Sequence, residues 1–289
     1  MNLDQCEVAF ERALASRTEA EFCDHISPLF SVYKILSVGM RRGDKTFWRA
    51  RVASVNRWPL LKDMDYPPAE KASVGRLNDA GFPCFYLAGG METALLEIDS
   101  KQGETVQLAA FRIKAEEELR LILVGEYSFV QKMGYVRLTG VDPGGTIGKM
   151  LNEMSTEDRT ATLYIDRFFA NILNDPNARD SGYLMSRALG AFLHARIREA
   201  DGIAFPSVRD SGGWNYAILP DPSDRAFGNV ACVVVRVLRS RLYGFVEFEP
   251  VGCADGLGPD DNFIWADPYD PSTITMYGMT KDEFDRKAI

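Results

Sequence analysis

The stretch that most restricts the fold is GRLNDAGFPCFYLAGGMETALLEI, residues 75–98. It reads as a turn, a buried strand, a glycine hinge and a short helix. Met91, Ala94, Leu95 and Ile98 define the core side of that helix, and at ~100° per residue Glu97 falls about 120° from it. A carboxylate on so apolar a helix is costly to bury unless it is paired or put to work. Glu97 is therefore expected at the border between core and cleft, semi-buried, just after a strand that offers Tyr86.

The rest of the chain alternates helical and strand patterns. Residues 3–15 and 18–30 read as helices, with Ser16 or Thr18 as an N-cap. TFWRARVAS (46–54) reads as a strand, and 56–75 is a Pro-rich connection. Strands follow at 83–88, 105–113 and 119–126, with the helix 91–100 among them. Beyond the Gly-Pro loop TGVDPGGTIG come helices near 147–154 and 158–174. The most regular helix lies in GYLMSRALGAFLHARIREADG, where Met185, Leu189, Leu193 and Ile197 recur every four residues. Strands IAF and YAIL flank the loop PSVRDSGGWN, and 230–238 and 242–251 read as later strands. The expected organisation is a helical N-terminal extension (1–45), a mixed α/β catalytic domain (46–251) and an irregular tail packed on it (252–289).

Composition narrows the function classes. The net charge of −8 over 289 residues argues against a protein that covers nucleic-acid phosphates with cations, so no direct nucleic-acid partner is expected. A small anionic ligand needs only a local cluster of cations. The start lacks a basic region followed by an apolar run, and no apolar stretch approaches the ~18–20 residues of a membrane span. Five cysteines without framework spacing fit free thiols in a reducing compartment, and a cytoplasmic location is expected.

Several motifs fail on inspection. PGGTIGKM (143–150) has Pro143 where a phosphate loop needs Gly, and Met150 where it needs Ser or Thr. His25 and His194 are the only histidines and no Cys-x-x-Cys pair exists, so no metal site is expected. A Gly-x-Ser-x-Gly elbow is absent. The cations Arg41, Arg42 and Lys45 are expected in solvent. Arg49 and Arg51 share one strand face, with Trp48 and Ala50 on the other. Two guanidiniums on one face suit a phosphate contact or a structural salt bridge, and spacing does not choose between them.

Taken in order, FWRAR, GRLN, CFYLA, ETALLE, DGIAFPSVRDSGGWN and YAIL resemble the RES-domain family, named for an arginine, a glutamate and a serine. The likeness spans residues 47–219. The resemblance implies an ADP-ribosyltransferase-like fold, with a mixed, mostly antiparallel split sheet and flanking helices. It also implies NAD as the substrate, without a metal, and a toxin whose partner is an Xre-type antitoxin; homo-oligomerisation is left open. By that resemblance Arg49, Tyr86, Glu97 and Ser207 are the active-site positions, with Arg76 and Asn215 as supports.

The chemistry these residues could perform is cleavage of the nicotinamide–ribose bond through an oxocarbenium-like state. A carboxylate near the sugar stabilises that charge or orients its hydroxyls. On this reading Arg49 holds the diphosphate or a ribose oxygen, and Tyr86 stacks on nicotinamide. Ser207 bonds phosphate or the nicotinamide amide, and Asn215 pins the loop before it. Water, phosphate or a protein side chain could each be the acceptor. A non-enzymatic nucleotide-binding module is the remaining alternative.

Overall fold

A computed structural model describes residues 1–41, 43, 45–53, 57–137 and 145–270. Among these are eight α-helices and ten strands in an α+β arrangement with mostly antiparallel pairing. The chain divides into two compact units, each built from three separated segments. One takes residues 1–38, 72–82 and 120–206; the other takes 39–71, 83–119 and the chain from Ser207 onward.

The first unit is mainly helical. It contains α1 (Leu3–Leu14), α2 (Glu19–Ile26), α4 (Glu126–Met133), α5 (Thr146–Glu153), α6 (Thr156–Asn174) and α7 (Leu184–Arg196). Asn2 and Gln5 form a capping box on α1, Thr18 caps α2 and Ser155 caps α6, so polar side chains satisfy free helix-end amides. The apolar faces then pack α1 on α2 and α6, and α2 on α7. Phe10 stacks on Phe168 with ring centroids 4.1 Å apart. Residues 1–38 are thus part of this unit's core rather than a free-standing extension. Strands β5 (Glu118–Leu123) and β6 (Gly202–Pro206) pair in parallel, Leu121 opposite Gly202 and Leu123 opposite Ala204.

The second unit is a twisted antiparallel sheet. Its strands are β2 (Phe47–Ala53), β3 (Phe85–Ala88), β4 (Thr105–Ile113), β7 (Trp214–Ile218), β8 (Phe227–Ser240), β9 (Val246–Leu257) and β10 (Phe263–Trp265). They lie in the order β7-β3-β2-β4-β8-β9-β10. Helix α3 (Met91–Glu97) covers one face. Its Ala94 and Leu95 pack with Ala88, Leu108, Val233, Val235 and Val246, and Trp48, Ala50, Met91 and Ile98 close the cluster. The opposite face is aromatic: Phe47, Phe85, Phe111, Tyr216 and Phe227 meet edge to face.

The structure differs from the sequence reading at several places. Strand β5 stops at Leu123, because Gly125 takes a left-handed conformation (φ 84°) and starts α4. Helix α7 ends at Arg196, short of the Asp201-Gly202 stop. Strand β1 (Leu36–Arg41) and helix α8 (Pro220–Ala226) were not foreseen; both are short, with weak periodicity. Residues 252–265 are not irregular tail. Strand β9 continues to Leu257, and β10 returns against it with Phe263 buried. Most of the loop TGVDPGGTIG, and Arg42, lie outside the described residues.

Candidate active site

Glu97 is the last residue of α3, with Asp99 in a left-handed conformation (φ 53°) two positions on. Helix packing leaves the Glu97 side chain exposed, not semi-buried. It is nevertheless fixed. Its Oε1 accepts from the Ser207 hydroxyl at 2.5 Å and from the Asn215 amide nitrogen at 2.7 Å. Both donors are buried, each 7% exposed. A carboxylate at a helix C-terminus faces the negative end of the helix dipole, so these two donors offset an unfavourable placement. Among the described residues no arginine pairs with Glu97 and no hydrogen bond reaches its Oε2.

The loop after β6 delivers Ser207. The hydroxyl that donates to Glu97 also accepts from the backbone amides of Arg209 at 3.2 Å and Asp210 at 3.0 Å. A serine hydroxyl has one proton and two lone pairs, so Ser207 is fully engaged. Its hydroxyl is committed to Glu97 and to its own loop and leaves no open position for a phosphate oxygen. Asp210 in turn accepts from the Thr93 hydroxyl on α3, which ties the loop to the helix a second time. Gly212 has φ 106°, and a Cβ on Gly213 would stand 2.4 Å from Asp210 Oδ2 and 2.8 Å from Thr93 Oγ1. The glycine pair thus lets the loop close on the helix. Ser-x-x-Asp before Gly-Gly is a turn signal that could have pointed to Thr93 and Asp210; the sequence reading missed both.

Strand pairing decides which other predicted residues join this group. Tyr86 lies opposite Ala217 and Ala88 opposite Asn215, so half-buried Tyr86 shares the α3 face with Asn215. Arg49 does not. Trp48 and Ala50 pack under α3, which turns Arg49 to the aromatic face, where its Cζ lies 5.5 Å from the Phe85 ring centroid. There it donates to the Tyr86 carbonyl at 3.0 Å, and its Nε is buried without a partner. Burial, then the charge of Arg51, lowers the guanidinium pKa to about 10. Arg51 stacks on Trp58 at 4.2 Å and donates to the Asp63 carbonyl. The shared face predicted for the two arginines is correct. Arg49, which the resemblance groups with Glu97, is turned by that same alternation to the face away from α3.

Arg76 belongs to the first unit. In the GRLN turn, Gly75 donates to the Asn78 carbonyl at 2.9 Å. Arg76 donates to the Asp175 carbonyl at 3.1 Å, with its Cζ 5.7 Å from the Tyr183 ring centroid. Lys45 is not in open solvent; it is half-buried, and burial lowers its pKa. Arg41 is exposed and pairs with Glu118 at 2.7 Å.

The RES-domain family model matches residues 46–233, more than half of the chain. The chain belongs to the RES-domain family. In this RES domain the expected Glu97, Ser207 and Asn215 converge through direct hydrogen bonds, and Tyr86 lies on the same face of the sheet. No curated protein matches the chain. Among the described residues no group of three or more His, Cys, Asp or Glu side chains could hold a metal. Among the same residues no helix is long and apolar enough to cross a membrane.

Proposed function

We propose that this RES domain cleaves the nicotinamide–ribose bond of NAD, with Glu97 as the catalytic carboxylate. The observation that carries this reading is an exposed carboxylate with one oxygen fixed by two buried donors and the other open. A preorganised charge of that kind is suited to a cation developing on a sugar. As the C1′–N bond breaks, its electron pair goes to the pyridinium nitrogen and neutral nicotinamide leaves, so no general acid is needed. Glu97 Oε2 faces the developing oxocarbenium or a ribose hydroxyl, while Ser207 and Asn215 hold the carboxylate against rotation. The cation at C1′ is then captured by water, which loses a proton, or by a phosphate oxygen. Tyr86 offers a ring to the nicotinamide. Arg209, in the Ser207 loop and half exposed beside Asp99 at 3.6 Å, supplies the cation for the diphosphate in place of Arg49.

A cytoplasmic toxin restrained by an Xre-type antitoxin is the setting that the family suggests for such an activity. A second reading, ADP-ribose transfer to a protein, draws on the turn between β8 and β9. Leu242, Tyr243 and Phe245 are largely exposed there, and a Cβ on Gly244 would lie 3.5 Å from both the Arg209 carbonyl and Leu96. An apolar surface beside the Glu97 loop would suit a protein acceptor. Incubation of the purified chain with NAD, with and without phosphate, tests both readings by product mass. Free nicotinamide with ADP-ribose or its 1-phosphate supports cleavage. A mass gain on added protein supports transfer, and intact NAD refutes both.

A further inference from the structure

We propose that the turn between β8 and β9 is the base-binding edge of the candidate site. Tyr243 and Phe245 take the adenine ring of the substrate and set a preference for the dinucleotide over nicotinamide mononucleotide. This deepens the NAD-cleavage reading and rests on it for the substrate. The turn lies beyond the RES domain, which ends at residue 233. It stands against the site nonetheless. A Cβ on Gly244 would lie 3.5 Å from both the Arg209 carbonyl and Leu96 Cδ1. Leu96 precedes Glu97 on α3, and Arg209 follows Ser207 by two positions, its amide bonded to the Ser207 hydroxyl.

Three observations select a phosphorylated base. Leu242, Tyr243 and Phe245 are 79%, 102% and 55% exposed, so three large apolar side chains within four residues are left in water. Tyr243 and Gly244 are both left-handed, with φ 63° and 76°. That is the backbone of a type I′ hairpin turn, whose first central position ordinarily takes Asn, Asp or Gly. A bulky ring there is an outlier, and the turn carries it without burying it. The Arg241 amide donates to the Phe245 carbonyl at 2.8 Å and closes the hairpin. Arg209, half exposed and 3.6 Å from Asp99, puts a cation beside this apolar edge. A cation next to exposed rings is what a phosphorylated base needs, charge for the phosphate and a π-face for the ring. Other occupants fit less well. One four-residue turn is small beside the roughly 20–30 residues that a stable protein interface takes from each side. Arg236 and Arg241 are paired with Glu249 and Glu247, which leaves the flanks little net charge for an anionic lipid surface.

Calorimetric titration of the full chain with ADP-ribose and with ribose 5-phosphate tests the base contact with no bond to cleave. ADP-ribose should bind at one site, with ribose 5-phosphate at least about tenfold weaker. Tyr243→Asn gives the turn a residue that its backbone favours. It should keep or raise the melting temperature and yet weaken ADP-ribose about tenfold. Phe245→Ser should weaken it in the same direction. In turnover, the ratio of kcat/KM for NAD to that for nicotinamide mononucleotide should fall by the same factor in Tyr243→Asn. ADP-ribose binding that is absent, or no tighter than that of ribose 5-phosphate, would overturn the proposal. So would unchanged ADP-ribose affinity in both variants. NAD cleaved equally well by the wild type and both variants would remove this inference and leave the cleavage reading standing. ADP-ribose binding weakened in the variants of a chain that never cleaves NAD would do the reverse.

Discussion

Glu97 in the second unit and Asp166 with Glu126 in the first are all carboxylates held by hydrogen bonds, yet the two settings are opposite. Asp166 is fully buried; its oxygens accept from the Tyr33 hydroxyl at 3.1 Å, the Gly125 amide at 3.0 Å and the Ser128 amide at 3.2 Å. Burial outweighs those donors and raises its pKa to about 6. Glu126 is also fully buried, accepts from the Arg137 amide at 2.5 Å and is raised to about 7, again by burial. Every donor around Asp166 serves to join α4, α6 and the segment before β1. Glu97 instead spends one oxygen on positioning and shows the other to solvent. A carboxylate closed in on all sides can organise a fold, whereas one fixed at a single oxygen can still meet a substrate.

The sharpest way to break this contrast is to remove the charge in each place. Glu97→Gln should fold with unchanged thermal stability and lose NAD turnover by at least about 10²-fold. Asn215→Ala should act in the same direction through positioning, lowering kcat by about tenfold with little change in KM. Normal turnover by Glu97→Gln would remove the second unit's carboxylate from the chemistry.

The buried pair should govern stability as a function of pH. Both folded-state pKa values are raised above their unfolded values, so the folded state binds more protons and stability is lost as pH rises from about 4 through 6–7. The unfolding free energy should therefore be larger at pH 5.5 than at pH 8, by on the order of a few kcal/mol, and the melting temperature correspondingly higher. Asp166→Asn with Glu126→Gln should flatten that slope. A wild-type profile that rises over this interval would contradict the assignment.

Arg49 sharpens the comparison from the other side of the sheet. Arg49→Ala should cost about 1–3 kcal/mol of stability, measured by denaturant unfolding, because it removes the bond to the Tyr86 carbonyl and opens space beside Phe85. The KM for NAD should change little. A large rise in KM with unchanged stability would restore Arg49 as a ligand contact. The smallest effect expected is at Tyr86: Tyr86→Phe should retain most binding, and Tyr86→Ala should lose a further ~0.5–1.5 kcal/mol with the ring. Equal, severe loss in both would assign the role to the hydroxyl.

The sequence by itself determined the α+β class, the strand–hinge–helix unit around Glu97 and the order of motifs that marks a RES domain. These are legible because they rest on local rules: two-residue alternation, 3.6-residue periodicity and glycine at breaks. Through the resemblance to that family it also picked out Glu97 together with Ser207 and Asn215, which lie more than a hundred residues further along the chain. What they do for one another was decided only by tertiary structure, because a hydrogen bond between α3 and the loop before β7 has no periodic trace. The same is true of Arg49. Its face relative to Arg51 follows from alternation, but which face receives α3 depends on where the helix finds its apolar partners, Ala88, Leu108 and Val233. Residues 1–38 looked like an extension because their amphipathic pattern is complete in itself. Only packing against α6 and α7 shows what their apolar stripes cover.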